Sequence, residues 1–205
     1  MDLHLRGKIA LVTGASKGIG LACARQLAEE GCHLHLASRT KADLERAKES
    51  IQARHNVSVT IHPVDLSNGD SARALAAACP DIDILVNNAG AIPAGDLQTI
   101  DEQRWRDAWN LKVFGYVNMC RAVYPAMKAR GGGVIVNVLG AAGERPTWGY
   151  NAGSAGNASL MAFTRGMGGT SLVDKIRIVA CNPGLISTER METMLRATAA
   201  TKLGD

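Results

Sequence analysis

The sequence predicts an α/β fold, a doubly wound parallel sheet with helices packed on both faces in three layers. Two observations carry the prediction. Short apolar runs of strand length alternate with longer stretches of helical spacing. The 205 residues are 46% apolar and 20% charged, enough for one substantial core, so residues 1–205 read as a single domain.

The strand runs are "KIALV" (8 to 12), "HLHLA" (33 to 37), "VSVTIHP" (57 to 63), "DILV" (83 to 86), "GVIVNV" (133 to 138) and "IRIVAC" (176 to 181). Most are too short for helices. Good helix formers with helical spacing fill 18 to 30, 40 to 54, 68 to 79, 101 to 129 and 154 to 172 between them. The triple glycine at 131 to 133 reads as a helix stop before the fifth strand. Parallel strands joined by right-handed crossovers place helices on both faces. Ligands then gather at the carboxyl ends of the strands, where the winding order reverses.

The formal net charge is +4, with Lys and Arg scattered among Asp and Glu, so neither nucleic acid nor a membrane surface is indicated as a partner. A small polyanion is compatible. Cys23, Cys32, Cys79, Cys120 and Cys181 lie singly in apolar surroundings, without the close pairs of zinc or redox motifs. They read as reduced core thiols, and no metal is expected. The N-terminus "MDLHLRGKIALVTG" lacks the apolar span of a signal peptide or membrane helix, which points to the cytoplasm.

After the first strand comes "TGASKGIG", Thr13 to Gly20, which places Gly14, Gly18 and Gly20 between a strand and an amphipathic helix. Glycines there allow a tight turn and close approach to a pyrophosphate, while free amides and the positive helix end face the anion. Further motifs follow in order: "VDL" (64 to 66), "NNAG" (87 to 90), "WNLKVFG" (109 to 115) and "NPGLIST" (182 to 188).

With these motifs the chain resembles the short-chain dehydrogenase/reductase family, whose nucleotide signature has the Gly-x-x-x-Gly-x-Gly spacing of 14 to 20. The resemblance implies a Rossmann-type fold, a nicotinamide cofactor and carbonyl/alcohol redox chemistry on a small molecule. It assigns the cofactor to Gly14, Ser16, Lys17, Gly18, Ile19 and Gly20 in the turn, and to Asp65 and Leu66, with Asp65 accepting from the adenine amino group. Asn88, Ala89 and Gly90 after the fourth strand, and Pro183, Gly184, Ile186 and Thr188 after the sixth, complete the set. Asn110 stands as the family's helix-bending Asn. At the end of the second strand an acid would suit the ribose of NAD. The chain instead has Ser38 and Arg39, and with Lys17 nearby this favours NADP over NAD.

The family's acid–base centre is a Tyr whose phenol is acidified by a Lys four residues on, with a Ser after the fifth strand holding the substrate oxygen. Here "GVIVNVLGAAG" puts Leu139 and Gly140 where the Ser residues would stand. The stretch "SLMAFTRGMG" fixes a register that puts Gly153 at the Tyr position and Asn157 at the Lys position. A second register starts from Tyr150 and puts Ser154 at the Lys position. In either, Ser and Lys are replaced. Three readings stay open. Tyr150 is a displaced acid, with Asn110 holding water and Glu144 or Arg145 meeting substrate; or the fold binds a dinucleotide without chemistry; or the site runs a non-redox step. The small-residue run "AGSAGNAS" would permit close helix packing under any of them.

The chain stops at "TERMETMLRATAATKLGD", so the family's last helix and seventh strand are expected to be missing from a shortened version of a longer chain. The resemblance also suggests a homo-oligomer, dimer or tetramer, built on the helices at 101 to 129 and 154 to 172. Trp105, Trp109 and Phe114 are read as core in preference to interface.

Overall fold

Each apolar run becomes a strand of one six-stranded parallel sheet: β1 (Ile9–Thr13), β2 (His33–Ser38), β3 (Val59–Pro63), β4 (Ile84–Asn87), β5 (Gly133–Val138) and β6 (Ile176–Cys181). The computed structural model describes residues 2–188 and, beyond them, positions 192, 196 and 199. The expectations about the chain's last residues therefore lie outside the described residues. The strand order is β3-β2-β1-β4-β5-β6, so the winding reverses between β1 and β4. Their carboxyl ends open the crevice in which such sheets bind ligands.

Among the described residues, helices α1 (Gly18–Glu29), α2 (Lys41–Gln52), α3 (Gly69–Ala78), α4 (Glu102–Trp109), α5 (Gly115–Ala129) and α6 (Asn151–Ser171) cover the sheet. Successive strand residues point to opposite faces, so one strand feeds two cores. Ala10 and Val12 of β1 pack with Ala24, Ala28, Leu44 and Ile51 of α1 and α2, whereas Leu11 packs with Leu75, Met119 and Val123 of α3 and α5. Burial on both faces explains why the strands read as unbroken apolar runs. Asn68 and Asp101 cap α3 and α4, their side chains accepting from the amides of Asp70 at 2.7 Å and Arg104 at 2.8 Å. After α5, Gly131 and Gly132 have φ of +87° and +142°, the conformations expected of a glycine helix stop.

The predicted helix at 101 to 129 is divided. A π-helical turn at Asn110–Phe114 separates α4 from α5. Its additional residue rotates the face that follows, a device common at functional sites. Lys112 and Val113 turn inward, while Phe114 is 51% exposed, which overturns the reading of Phe114 as core. Trp105 and Trp109 are half-buried and pack on the cluster of Ile92, Ala108 and Ala152. Helix α6 begins at Asn151, three residues earlier than its periodicity indicated, held by Trp109 Nε1 donating to the Ala152 carbonyl at 2.9 Å.

The small-residue run does permit close packing. A Cβ on Gly156 would stand 3.3 Å from Ile92, Trp109 and Val113. All five cysteines are free, but only Cys32, Cys79 and Cys120 are buried. Cys181 is exposed and Cys23 half-buried, so the core-thiol reading holds for three. Among the described residues no helix is long and apolar enough to cross a membrane.

Candidate active site

The glycine turn is locked from beneath. Thr13 Oγ1 accepts from the amides of Asn88 at 2.9 Å and Ala89 at 3.1 Å, and Asn88 Nδ2 donates to the carbonyls of Thr13 and Gly14 at 3.1 and 3.2 Å. These bonds tie β1 to β4 where the winding reverses. Gly14 has φ +64°, and a Cβ on it would stand 2.9 Å from Ala89 and Asn88; Gly18 has φ +58°. Gly20 lies against the Gly14 carbonyl, leaving no room for a side chain. The turn can thus be made by glycine alone at Gly14 and Gly20, for steric reasons visible in the backbone.

Above it runs a groove of about 450 Å³, lined by Gly14, Ser16, Lys17, Gly18, Ile19, Ser38, Arg39, Leu66, Asn88, Ala89, Gly90 and Thr188, among others. That is most of the cofactor set expected from sequence. Asp65 lines an adjoining depression with Arg39 and Asn110, its Oδ1 accepting from the Ser67 amide at 3.0 Å. The cradle fits a dinucleotide: backbone amides at the start of α1 face the groove, and the cations Lys17 and Arg39 line it. Ser38 Oγ is buried there with no hydrogen-bond partner among the described residues.

An inner pocket of about 580 Å³ continues from the groove. Ile19, Gly90, Lys112, Leu139 and Thr188 line both. Its other walls include Ile92, Gly140, Arg145, Tyr150 and Asn157, with Pro183, Gly184 and Ile186 from the segment after β6. The structure therefore brings Tyr150 to the pocket but not Asn110, which is exposed and lines the outer depression. Of the two loop residues, Arg145 reaches the pocket, while Glu144 accepts from Asn182 Nδ2 at 2.8 Å.

Tyr150 immediately precedes α6, its backbone bridged to Gly95, with the Gly95 amide donating to Gly149 O at 2.8 Å. Its ring folds back over the helix, so that a Cβ on Gly153 would fall within the phenol ring. The ring occupies the space into which a side chain at 153 would grow. A Cβ on Gly140 would lie 3.0 Å from Asn157 Nδ2, so these two positions face each other across the pocket floor.

Lys112 is the residue that the sequence reading missed. It is 8% exposed, delivered inward by the π-turn, and its stem runs across Gly90, where a Cβ would meet Lys112 Cδ at 2.5 Å. Nζ donates to Tyr116 Oη at 2.8 Å and to the Val138 carbonyl at 2.7 Å, and Tyr116 Oη donates to the same carbonyl at 2.8 Å. The ammonium is thereby held at the end of β5, just before Leu139 and Gly140. A signal was present: Lys112 and Tyr116 are spaced to share one helix face.

A dinucleotide groove at the switch point of a parallel sheet, opening into a pocket with a phenol and an ammonium, defines a nucleotide-dependent enzyme class. The comparisons give its family. The short chain dehydrogenase family matches residues 8–199, and the chain belongs to that family. Relatives are named dehydrogenases or reductases. Dehydrogenase/reductase SDR family member 4 of Oryctolagus cuniculus is 33% identical over 189 residues, 90% of this chain and 72% of that protein. The Homo sapiens protein of the same name is 30% identical over 98% of this chain and 77% of its own length. Among solved structures, L-sorbose reductase from Gluconobacter frateurii, complexed with NADPH and L-sorbose, superposes with a TM-score of 0.93. It shares 32% identity over 100% of this chain and 80% of that one. A 7α-hydroxysteroid dehydrogenase complexed with NADH gives 0.88 at 27% identity, covering 94% and 76%.

Proposed function

We propose that the protein is an NADPH-dependent reductase of small carbonyl compounds whose acid–base centre is rebuilt from Tyr150 and Lys112. The observation that carries the proposal is that both line one pocket continuous with the nucleotide groove. Bound NADPH would supply the hydride. Lys17, Arg39 and the unpartnered Ser38 hydroxyl favour the 2′-phosphate over a free ribose. One solved relative carries NADPH and another NADH, so these residues and not the likeness decide the preference.

The Tyr150 phenol donates the proton that the reduced carbonyl oxygen needs. Lys112 replaces the cation that the family register would place at Asn157, since a carboxamide cannot stabilise a phenolate by charge. Tyr116 and the Val138 carbonyl orient that ammonium. Neither Gly140 nor Leu139 offers a hydroxyl, so the substrate oxygen is held by Tyr150 without the family's Ser. Ile92, Leu139, Leu185 and Ile186 give the pocket apolar walls for the carbon skeleton of the substrate, and Arg145 selects a substrate with a polar or anionic end. A cytoplasmic, homo-oligomeric protein suits the five free cysteines and the exposed Phe114.

Calorimetry with NADPH and NADH, followed by a panel of ketones, aldehydes and quinones, tests the reading. Arg39→Ala should weaken NADPH about ten- to a hundredfold and NADH by less than about threefold, the loss of one charge-assisted phosphate contact. Tight binding of either nucleotide without turnover of any carbonyl would favour the non-catalytic alternative.

A further inference from the structure

Away from the groove, one cluster of side chains has no part in the reaction. His35 of β2, His62 of β3 and Cys79 at the end of α3 point their ligating atoms at one another. His35 Nδ1 and His62 Nε2 are 2.8 Å apart, and Cys79 Sγ lies 3.3 Å from the first and 3.5 Å from the second. Among the described residues it is the one group of three or more His, Cys, Asp and Glu side chains that converges in this way. We propose that it is a transition-metal site and that its occupant is Zn²⁺.

The placement follows from the topology. His62 is cross-strand from Ala37 and His35 from Thr60, so the two imidazoles are diagonal neighbours on adjacent strands. They share the sheet face covered by α3, where Ala37, Leu75 and Cys79 belong to one apolar cluster. Three donors from three rigid elements form a preorganised set, with little loop entropy left to lose. Their chemistry is that of zinc: two imidazoles and one thiol, with no carboxylate, suit a borderline-soft cation and disfavour Mg²⁺ or Ca²⁺.

The spacing also fits. Zinc–ligand bonds of about 2.0–2.1 Å to nitrogen and about 2.3 Å to sulfur, at tetrahedral angles, put N···S near ~3.6 Å and N···N near ~3.3 Å. The two N···S separations already approach that value, and the imidazoles would open by about half an ångström. Both histidines are half-buried and Cys79 is buried, so the fourth position is left to water from the solvent side. The role this implies is structural. The metal would pin β3, an outer strand of the sheet, to β2 and α3. The ends of β2 and β3 lead into Arg39, Val64 and Leu66, which line the groove.

The full chain, stripped with a chelator, is titrated with Co²⁺ as the spectroscopic probe and then with Zn²⁺. The proposal predicts one equivalent of cobalt, a thiolate-to-cobalt charge-transfer band, and the strong visible bands of low-coordinate cobalt, all erased by zinc. Cys79→Ser should abolish the charge-transfer band, and His62→Gln should weaken cobalt binding at least tenfold. Both variants are checked for retained far-ultraviolet dichroism, and Cys23→Ser and Cys181→Ser serve as controls that keep the band. A folded wild type giving only the pale spectrum of hydrated cobalt would overturn the proposal. So would a charge-transfer band that survives Cys79→Ser or disappears with Cys181→Ser.

Discussion

Replacing Lys112 with Met separates the chemistry proposed for this residue from its place in the core. The ammonium donates two hydrogen bonds, to Tyr116 Oη and to the Val138 carbonyl, each worth about 1.5–3 kcal/mol with a charged donor. Against them stands the desolvation of a side chain that is 8% exposed, a cost of several kcal/mol for a buried ion. Met refills the volume of the stem, and Tyr116 Oη keeps its own 2.8 Å bond to Val138 O, so no buried hydroxyl is orphaned. These terms nearly cancel. Stability should change by no more than about 2 kcal/mol in either direction, a melting shift under about 8 °C for a chain of this size. Activity should respond very differently. Removing one preorganised charged group from a reacting site costs about 10²- to 10³-fold, so kcat should fall by about that much. The assay is kcat against pH for the wild type and Lys112→Met, with melting temperatures recorded in parallel. A variant with the wild-type rate and profile would refute the assignment of Lys112 as the cation of the site.

Two further outcomes follow. Gly153→Ala puts a methyl group into the space filled by the Tyr150 ring, so the ring must move. Overpacking of this kind costs about 1–3 kcal/mol. Activity measured alongside melting should fall further than that stability loss explains, and should not fall again when the change is made in a Tyr150→Phe background. Burial holds the His35 imidazole below the usual histidine range, and burial with the like charge of His35 does the same for His62. The unfolded chain therefore binds protons that the folded chain does not. Their contribution is fully present above the unfolded value near pH 6.5 and is lost as pH falls through the depressed folded values. In chelator-treated protein, melting temperature should drop more steeply below about pH 6.5 in the wild type than in His62→Asn.

The strands and the nucleotide turn were legible because each is written in local residues. Unbroken apolar runs follow from burial on both faces, and the positive φ of Gly14 and Gly18 and the contact of Gly20 with the Gly14 carbonyl are demands set within the turn itself. The candidate pocket was only half legible. Register along α6 marked Gly140, Gly153 and Asn157, but not that the Tyr150 ring bends into the vacant Gly153 position, which depends on the bridge to Gly95. Lys112 was obscured by the π-turn, because helical periodicity assumes an unbroken spacing, and although Asn110 marked a bend in "WNLKVFG", no local residue fixed which side chain that bend turns inward. The same turn carried Phe114 outward against its hydropathy. His35, His62 and Cys79 come from three separated segments. Reading them as a group requires the β2–β3 register and the end point of α3, and neither is a property of any short stretch.

The central claim is that Tyr150 is the proton donor, and single-turnover reduction of a carbonyl substrate by pre-bound NADPH tests it most directly. In Tyr150→Phe, removal of the acid should slow NADPH oxidation about 10²- to 10⁴-fold while the affinity for NADPH stays within about twofold. Reduction at the wild-type rate in Tyr150→Phe would contradict the account and pass the proton to another group lining the inner pocket, Thr188 or the Lys112 ammonium.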